Sequence, residues 1–176
     1  MDKIILSARF PGSGKDTVAR YLEVKYGYKQ LAFADKIYEI AESLFDMGQK
    51  DRSLLQNIGQ KMREIDEWVW INHIDKIIRQ NNYSKIVISD LRQANELDWA
   101  LANGFIPIRV SVTKEEAIKR LKERDGYCDE SRFNHESEKG VEKVSMKTLY
   151  NNTDIQDLYR QVDMIMSTGD IVLPYT

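Results

Sequence analysis

The chain has 176 residues, 42% apolar and 31% charged, which is the balance of a folded globular protein rather than a disordered tail. Its 26 Lys and Arg face 28 Asp and Glu, so the net charge is −2, and a protein built to grip duplex nucleic acid is not expected. One cysteine, Cys128, excludes a disulfide framework and suits a reducing, cytoplasmic setting; two histidines, His73 and His135, exclude a multi-histidine metal centre.

No apolar run approaches the roughly 20 residues of a membrane helix, and the apolar stretch after Met1-Asp2-Lys3 is too short for a signal peptide. Three prolines make no linker, so one domain over residues 1–176 is expected. Lys3–Ser7 reads as a strand. Gly14–Tyr26 reads as a helix with Val18, Leu22 and Tyr26 on one face, and Lys29–Phe33 as a second short strand. Asp35–Phe45 is helical with Asp35 as its cap. Ser53–Ile65 and Glu67–Gln80 follow as helices, with Trp70, Ile74, Ile77 and Ile78 at helical spacing. Lys85–Ser89 reads as a buried strand and Ala94–Asn103 as a helix stopped by Gly104. Ile106–Val112 is a strand, Lys114–Asp125 a helix stopped by Gly126, Met146–Tyr150 the last strand and Asp154–Ile165 the last helix. Apolar strands alternating with helices predict an α/β protein with a parallel sheet covered on both faces. Such sheets bind ligands at the carboxyl ends of their strands.

After the first strand the chain reads Arg9-Phe10-Pro11-Gly12-Ser13-Gly14-Lys15-Asp16-Thr17, close to the phosphate-binding pattern G-x-x-x-x-G-K-[ST]. The glycines let main-chain N–H groups approach an anion, the helix that follows turns its positive end to the same point, and Lys15 adds a full charge. Arg9 stands where the pattern has its first glycine, and Asp16 where it has the magnesium-binding Ser or Thr. Either Asp16, through water, or Thr17 is left to serve the metal. The buried strand at Lys85–Ser89 ends in Asp90, a position from which a carboxylate orients Mg²⁺ in phosphate-loop enzymes. Arg92, two residues on, is placed to clamp a phosphate, or else pairs with Asp90 or Glu96.

Arg120 and Arg124 are four apart and share a helix face. Phosphoryl-transfer enzymes bring such arginines in from a flap, and the polar, glycine-containing stretch 120–140 has the composition of a lid. A solvated helix paired with Glu115, Glu116 and Glu123 explains them equally well, and Arg132 is a weaker candidate. Lys36 reads as a surface lysine before an acceptor ligand, and Arg63 is open. Trp68, Trp70 and Trp99 are expected in the core rather than as stacking platforms, and Phe33 and Tyr38 are candidates to line a ligand pocket. Asn151-Asn152 is either a turn or a contact to a base.

Taken in order, the loop with Ser13-Gly14-Lys15-Asp16-Thr17, the run Leu54–Trp70 with Gln56, Gly59 and Trp68-Val69, the segment Asp90-Leu91-Arg92-Gln93 with Glu96, and His135-Glu136-Ser137-Glu138 resemble the phage-type deoxynucleoside monophosphate kinases. The likeness runs from residue 3 to about residue 165. It implies a three-layer phosphate-loop fold with a five-stranded parallel sheet in the order 2-3-1-4-5 and a small mobile lid. It implies ATP and Mg²⁺, and transfer of the γ-phosphoryl group to a deoxynucleoside 5′-monophosphate. By the resemblance, residues 12–17 (Gly12, Ser13, Gly14, Lys15, Asp16, Thr17) hold ATP. Asp16, Thr17 and Asp90 serve the metal, and Lys15, Asp90, Arg92, Arg120 and Arg124 the transfer. Helices within 35–82, with Asp35, Lys36 and Arg63, meet the acceptor together with Arg92, and His135 and Glu138 lie near the nucleotide. The partners implied are these nucleotides, with no nucleic acid and no membrane; monomer or homodimer is left open. The location implied is cytoplasmic, the host's if the chain is phage-encoded. A kinase of another phosphorylated acceptor such as dephospho-CoA, and an ATP-binding regulatory module, are the alternatives.

Overall fold

The computed structural model describes residues 2–128, 133, 141 and 144–168. In chain order these form β1 (Lys3–Ser7), α1 (Lys15–Tyr26), β2 (Lys29–Leu31), α2 (Asp35–Phe45), α3 (Arg52–Ile65), α4 (Val69–Asn81), β3 (Ile86–Ile88), α5 (Ala94–Ala102), β4 (Ile106–Ser111), α6 (Lys114–Asp125), β5 (Lys147–Tyr150) and α7 (Ile155–Thr168). The sheet has five strands in the order β2-β3-β1-β4-β5. β1 lies parallel to β3, with Ile5 opposite Ile88, and to β4, with Ser7 opposite Arg109; β4 and β5 are also parallel. The order expected from the family resemblance is therefore observed.

Two compact units are present: Met1–Gln30 with Lys85–Thr176, and Leu31–Ser84. The first holds the sheet core. Ile4 and Leu6 point to one face, where Val18, Leu22, Leu158, Val162 and Ile165 of α1 and α7 bury against them. Ile5, Ile86 and Ile88 are equally inaccessible to solvent, and the alternation of a strand turns Ile5 to the opposite face. Each fully buried aliphatic side chain contributes on the order of 1.5–3 kcal/mol, so these central strands carry much of the unit's stability. α1 and α7 are further joined by polar contacts. Asp163 accepts hydrogen bonds from Tyr21, Tyr26 and Lys25, and Tyr21 stacks on Tyr159 with ring centroids 3.9 Å apart.

In the second unit α3 packs against α2 and α4. Ile37, Ala41, Ile58, Trp70, Ile71 and Ile74 are buried, and the Trp70 indole N–H donates to the Gly59 carbonyl at 3.3 Å. Trp68, expected in the core, is instead 39% exposed: it caps α4, one residue before the helical periodicity begins. Trp99 is half-buried, with its ring against Phe105 of the first unit.

Several boundaries differ from the periodicity for local reasons. β2 stops at Leu31, and Asp35 is the first helical residue of α2 rather than its cap; its carboxylate reaches back to accept the Ala32 N–H at 2.9 Å. Asp51 caps α3 by accepting from Leu54 N–H. α4 begins at Val69 because Asp66 accepts the Trp68 N–H and holds the preceding turn. Asp154 accepts the Asp157 N–H at 2.8 Å, which starts α7 at Ile155.

Candidate active site

The loop between β1 and α1 has the backbone that its glycines permit. Gly12 has φ +79° and Gly14 φ +95°, left-handed values that other residues rarely adopt. Gly14 is the N-cap of α1 and, having no side chain, supplies no acceptor to the helix's first turn. A helix start without an N-cap side chain, at the positive end of the helix dipole, suits an anion. Arg9, where the pattern expects a glycine, is not among the positive-φ residues, so that position makes no demand for one. Its guanidinium lies over the Phe10 ring at 5.2 Å. Lys15 opens α1 half-buried, Asp16 beside it is exposed, and Thr17 faces a cleft.

That cleft, about 310 Å³, is lined by Gly12, Gly14 and Thr17 and by Arg120, Asn151, Thr153, Ile155 and Leu158. Arg120 is fixed there: Nε donates to Glu116 at 3.0 Å and Nη2 to the Asn151 carbonyl at 2.9 Å. The Asn151 side chain is turned inward and donates to the Ser13 carbonyl at 2.8 Å; the Asn152 side chain accepts the Thr113 N–H at 2.9 Å. Both asparagines thus use their side chains on the protein itself.

Asp90 lies two residues beyond the end of β3, and the Leu91 N–H donates to the Leu6 carbonyl, which brings this segment alongside the end of β1 where the loop begins. Glu96 is 3% exposed, and its carboxylate accepts the main-chain N–H groups of Arg92 and Gln93 at 2.8 and 2.9 Å. Arg92 is exposed, and among the described residues its guanidinium makes no hydrogen bond or ion pair. Pairing with Glu96 is therefore replaced by a main-chain contact: Glu96 serves the loop that carries Arg92, not the guanidinium.

A family model described as an AAA domain matches residues 8–140. The chain belongs to this AAA-domain family. The matched span begins at the phosphate loop and takes in Asp90, Arg92 and Arg120. Solved structures share the fold. TT1252 from Thermus thermophilus is 17% identical with TM-score 0.65, covering 95% of this chain and 98% of that one. A shikimate kinase from Acinetobacter baumannii, in complex with shikimate, is 15% identical with TM-score 0.61, covering 94% and 91%. A sugar kinase from Janibacter sp. is 14% identical with TM-score 0.60, covering 98% and 96%.

Of the remaining sequence candidates in this AAA-domain chain, Arg124 is exposed and held by Asp125 at 2.7 and 2.8 Å. Asp125, and more weakly Asp16, stabilise its charged form. Asp35, Lys36 and Arg63 all lie in the second unit, where Lys36 pairs with Glu39 and Arg63 is half-buried on α3. In the same unit burial, and then the Lys36 charge, push the pKa of His73 down. Phe33 is buried, and Tyr38 lies under the Lys50 ammonium at 5.3 Å. Arg132, His135, Glu138 and most of the stretch 120–140 beyond Cys128 lie outside the described residues. No helix among those residues is long and apolar enough to cross a membrane. Nor does any group of three or more His, Cys, Asp or Glu among them have the makings of a metal site. Asp16 and Thr17 in the first turn of α1, with Asp90 after β3, offer a sparse set of oxygen donors that suits Mg²⁺, an ion that fills most of its shell with phosphate and water. Two contacts escaped the sequence reading: Glu96 to the main chain, and Asn151 to the phosphate loop. The signal for the first was present, since Gln93 and Glu96 have the three-residue spacing of a capping box.

Proposed function

We propose that the protein is an ATP-dependent kinase that phosphorylates a deoxynucleoside 5′-monophosphate to the diphosphate. The observation that carries the reading is the glycine-capped start of α1, with no side-chain cap on its first-turn amides, beside a cleft of nucleotide-fragment size. The donor's phosphates lie against the amides of residues 12–17 and the Lys15 ammonium. Its base lies in the cleft lined by Arg120, Thr153 and Ile155. Asp16 or Thr17, with Asp90, would hold Mg²⁺, which would supply positive charge against that of the donor's phosphates.

An acceptor phosphate oxygen forms a bond to the γ-phosphorus as the bond to the β-phosphate oxygen breaks, and ADP leaves. The acceptor is already deprotonated at neutral pH, so the chain supplies position and charge rather than a strong base. Arg92 meets the acceptor phosphate, with its main chain held by Glu96. Arg124 offsets charge on the group in flight. By the resemblance of the ordered motifs, Asp35, Lys36 and Arg63 are further acceptor-binding candidates.

The monophosphate acceptor rests on the resemblance of the ordered motifs; the fold alone is shared with kinases of hydroxyl acceptors. ADP release measured with a panel of deoxynucleoside and nucleoside monophosphates, dephospho-CoA, shikimate and gluconate decides the matter. Turnover dependent on a deoxynucleoside monophosphate supports the proposal. Turnover with another acceptor reassigns the substrate, and acceptor-independent hydrolysis replaces the kinase with a nucleotide-driven module.

A further inference from the structure

We infer that Asn151 is a positioning residue that aims the Gly14 N–H of the phosphate loop and ties that loop to the segment between β5 and α7. The inference rests on the reading of the loop as a triphosphate site. Asn151 is 7% exposed and Ser13 is 3% exposed, and the hydrogen bond between Asn151 Nδ2 and the Ser13 carbonyl is 2.8 Å long. The Ser13 carbonyl belongs to the same planar peptide as the Gly14 N–H. In a trans peptide the two groups point in opposite directions, so fixing the oxygen fixes the hydrogen. The hydrogen bond that holds the oxygen therefore also directs the donor, away from Asn151.

The amide itself is well anchored. Asn151 N–H donates to the Ser111 carbonyl at the end of β4 at 2.8 Å, and its carbonyl accepts from Arg120 at 2.9 Å. Its side chain lies so close to the loop that a Cβ on Gly14 would collide with Nδ2, so glycine there serves the approach of Asn151 as well as its own left-handed backbone. The chemistry is directional. The Ser13 carbonyl needs a donor, which an amide provides and a carboxylate of the same shape does not. Asn151 and Ser13 are 138 residues apart, so the contact joins the first and last loops of the nucleotide unit. Asn151, Thr153 and Ile155 line the same cleft as Gly12 and Gly14.

The test uses the full chain with Asn151→Asp, which reverses the donor, and Asn151→Ala, which removes it at less risk to folding. Far-UV circular dichroism and melting temperature establish that each variant is folded. Calorimetric titration with ATP and with inorganic triphosphate, together with the Gly14 amide resonance in the unliganded protein, supplies the decisive readings. The expected result has three parts: a displaced Gly14 amide resonance, both ligands weakened at least about tenfold, the cost of one buried hydrogen bond, and an acceptor KM within about twofold of wild type. A general loss of packing would instead raise both KM values together. Folded variants with an unmoved Gly14 resonance, or with wild-type affinity for both ligands, overturn the inference. If the wild-type protein itself binds neither ligand, the kinase reading fails, and the Gly14 resonance still decides whether Asn151 sets the loop.

Discussion

Lys15 and Arg92 present two kinds of cation. Lys15 opens a helix whose N-cap glycine supplies no side-chain acceptor, so its ammonium adds a full charge to the positive end of the helix. Replacing it with alanine removes charge without opening a core cavity, since the residue is only half-buried. Lys15→Ala is expected to cut phosphoryl transfer by at least about a thousandfold with the melting temperature within about 2 °C, read by coupled ADP release and by thermal unfolding. Arg92 is exposed on a turn whose main chain is fixed by a buried carboxylate. Arg92→Ala is expected to raise the acceptor KM about tenfold or more and to leave ATP affinity within twofold, measured by titrating each substrate separately. Both residues were legible in the sequence, because a Lys after a glycine pair and an Arg after an apolar strand are local patterns. The hold that Glu96 has on the Arg92 loop follows only once α5 begins where it does.

The pairing of α1 with α7 combines an aliphatic seam with one charged knot. Burial alone would raise the pKa of Asp163, but the donors Lys25, Tyr26 and Tyr21 outweigh it and hold the carboxyl below its ordinary range. A carboxyl whose pKa is lower folded than unfolded adds stability above its unfolded pKa of about 3.9, and that stability is lost as the pH falls through the folded value. Asp163 is partly exposed, so solvent screens the gain. Asp163→Asn is expected to cost on the order of 1 kcal/mol at pH 7 in urea unfolding, with the difference from wild type closing below about pH 4. A gap that persisted at acid pH would assign the loss to shape rather than charge. The helices themselves were legible from apolar spacing. Their exact starts were not, because Asp35, Asp66 and Asp154 each act through a carboxylate whose target, two or three residues away, is chosen by the local turn.

For the whole molecule, the sheet order puts β1 at the centre, so the phosphate loop leaves the strand most enclosed by neighbours. A rigid strand end and a helix start thus frame the loop, and ligand binding is coupled to the stability of the folded chain. ATP at a hundred times its dissociation constant is expected to stabilise the protein by about 2.7 kcal/mol, seen as a rise of several degrees in melting temperature. The rise is expected to vanish in Lys15→Ala; an equal rise in that variant would place ATP elsewhere.

The residues alone determined the α/β alternation, the glycine loop at the start of the first long helix and the acid closing the third strand, because each is a pattern within a dozen neighbouring positions. The strand order came from the resemblance of ordered motifs, since apolar strands of similar composition carry little record of who pairs with whom. The tertiary structure decided the rest. Packing turned Asn151 onto Ser13, Arg120 onto the Asn151 carbonyl and Glu96 onto main-chain amides rather than onto an arginine. A buried carbonyl or carboxylate must find a donor wherever the fold brings one, and for Ser13 that donor lay at the other end of the chain.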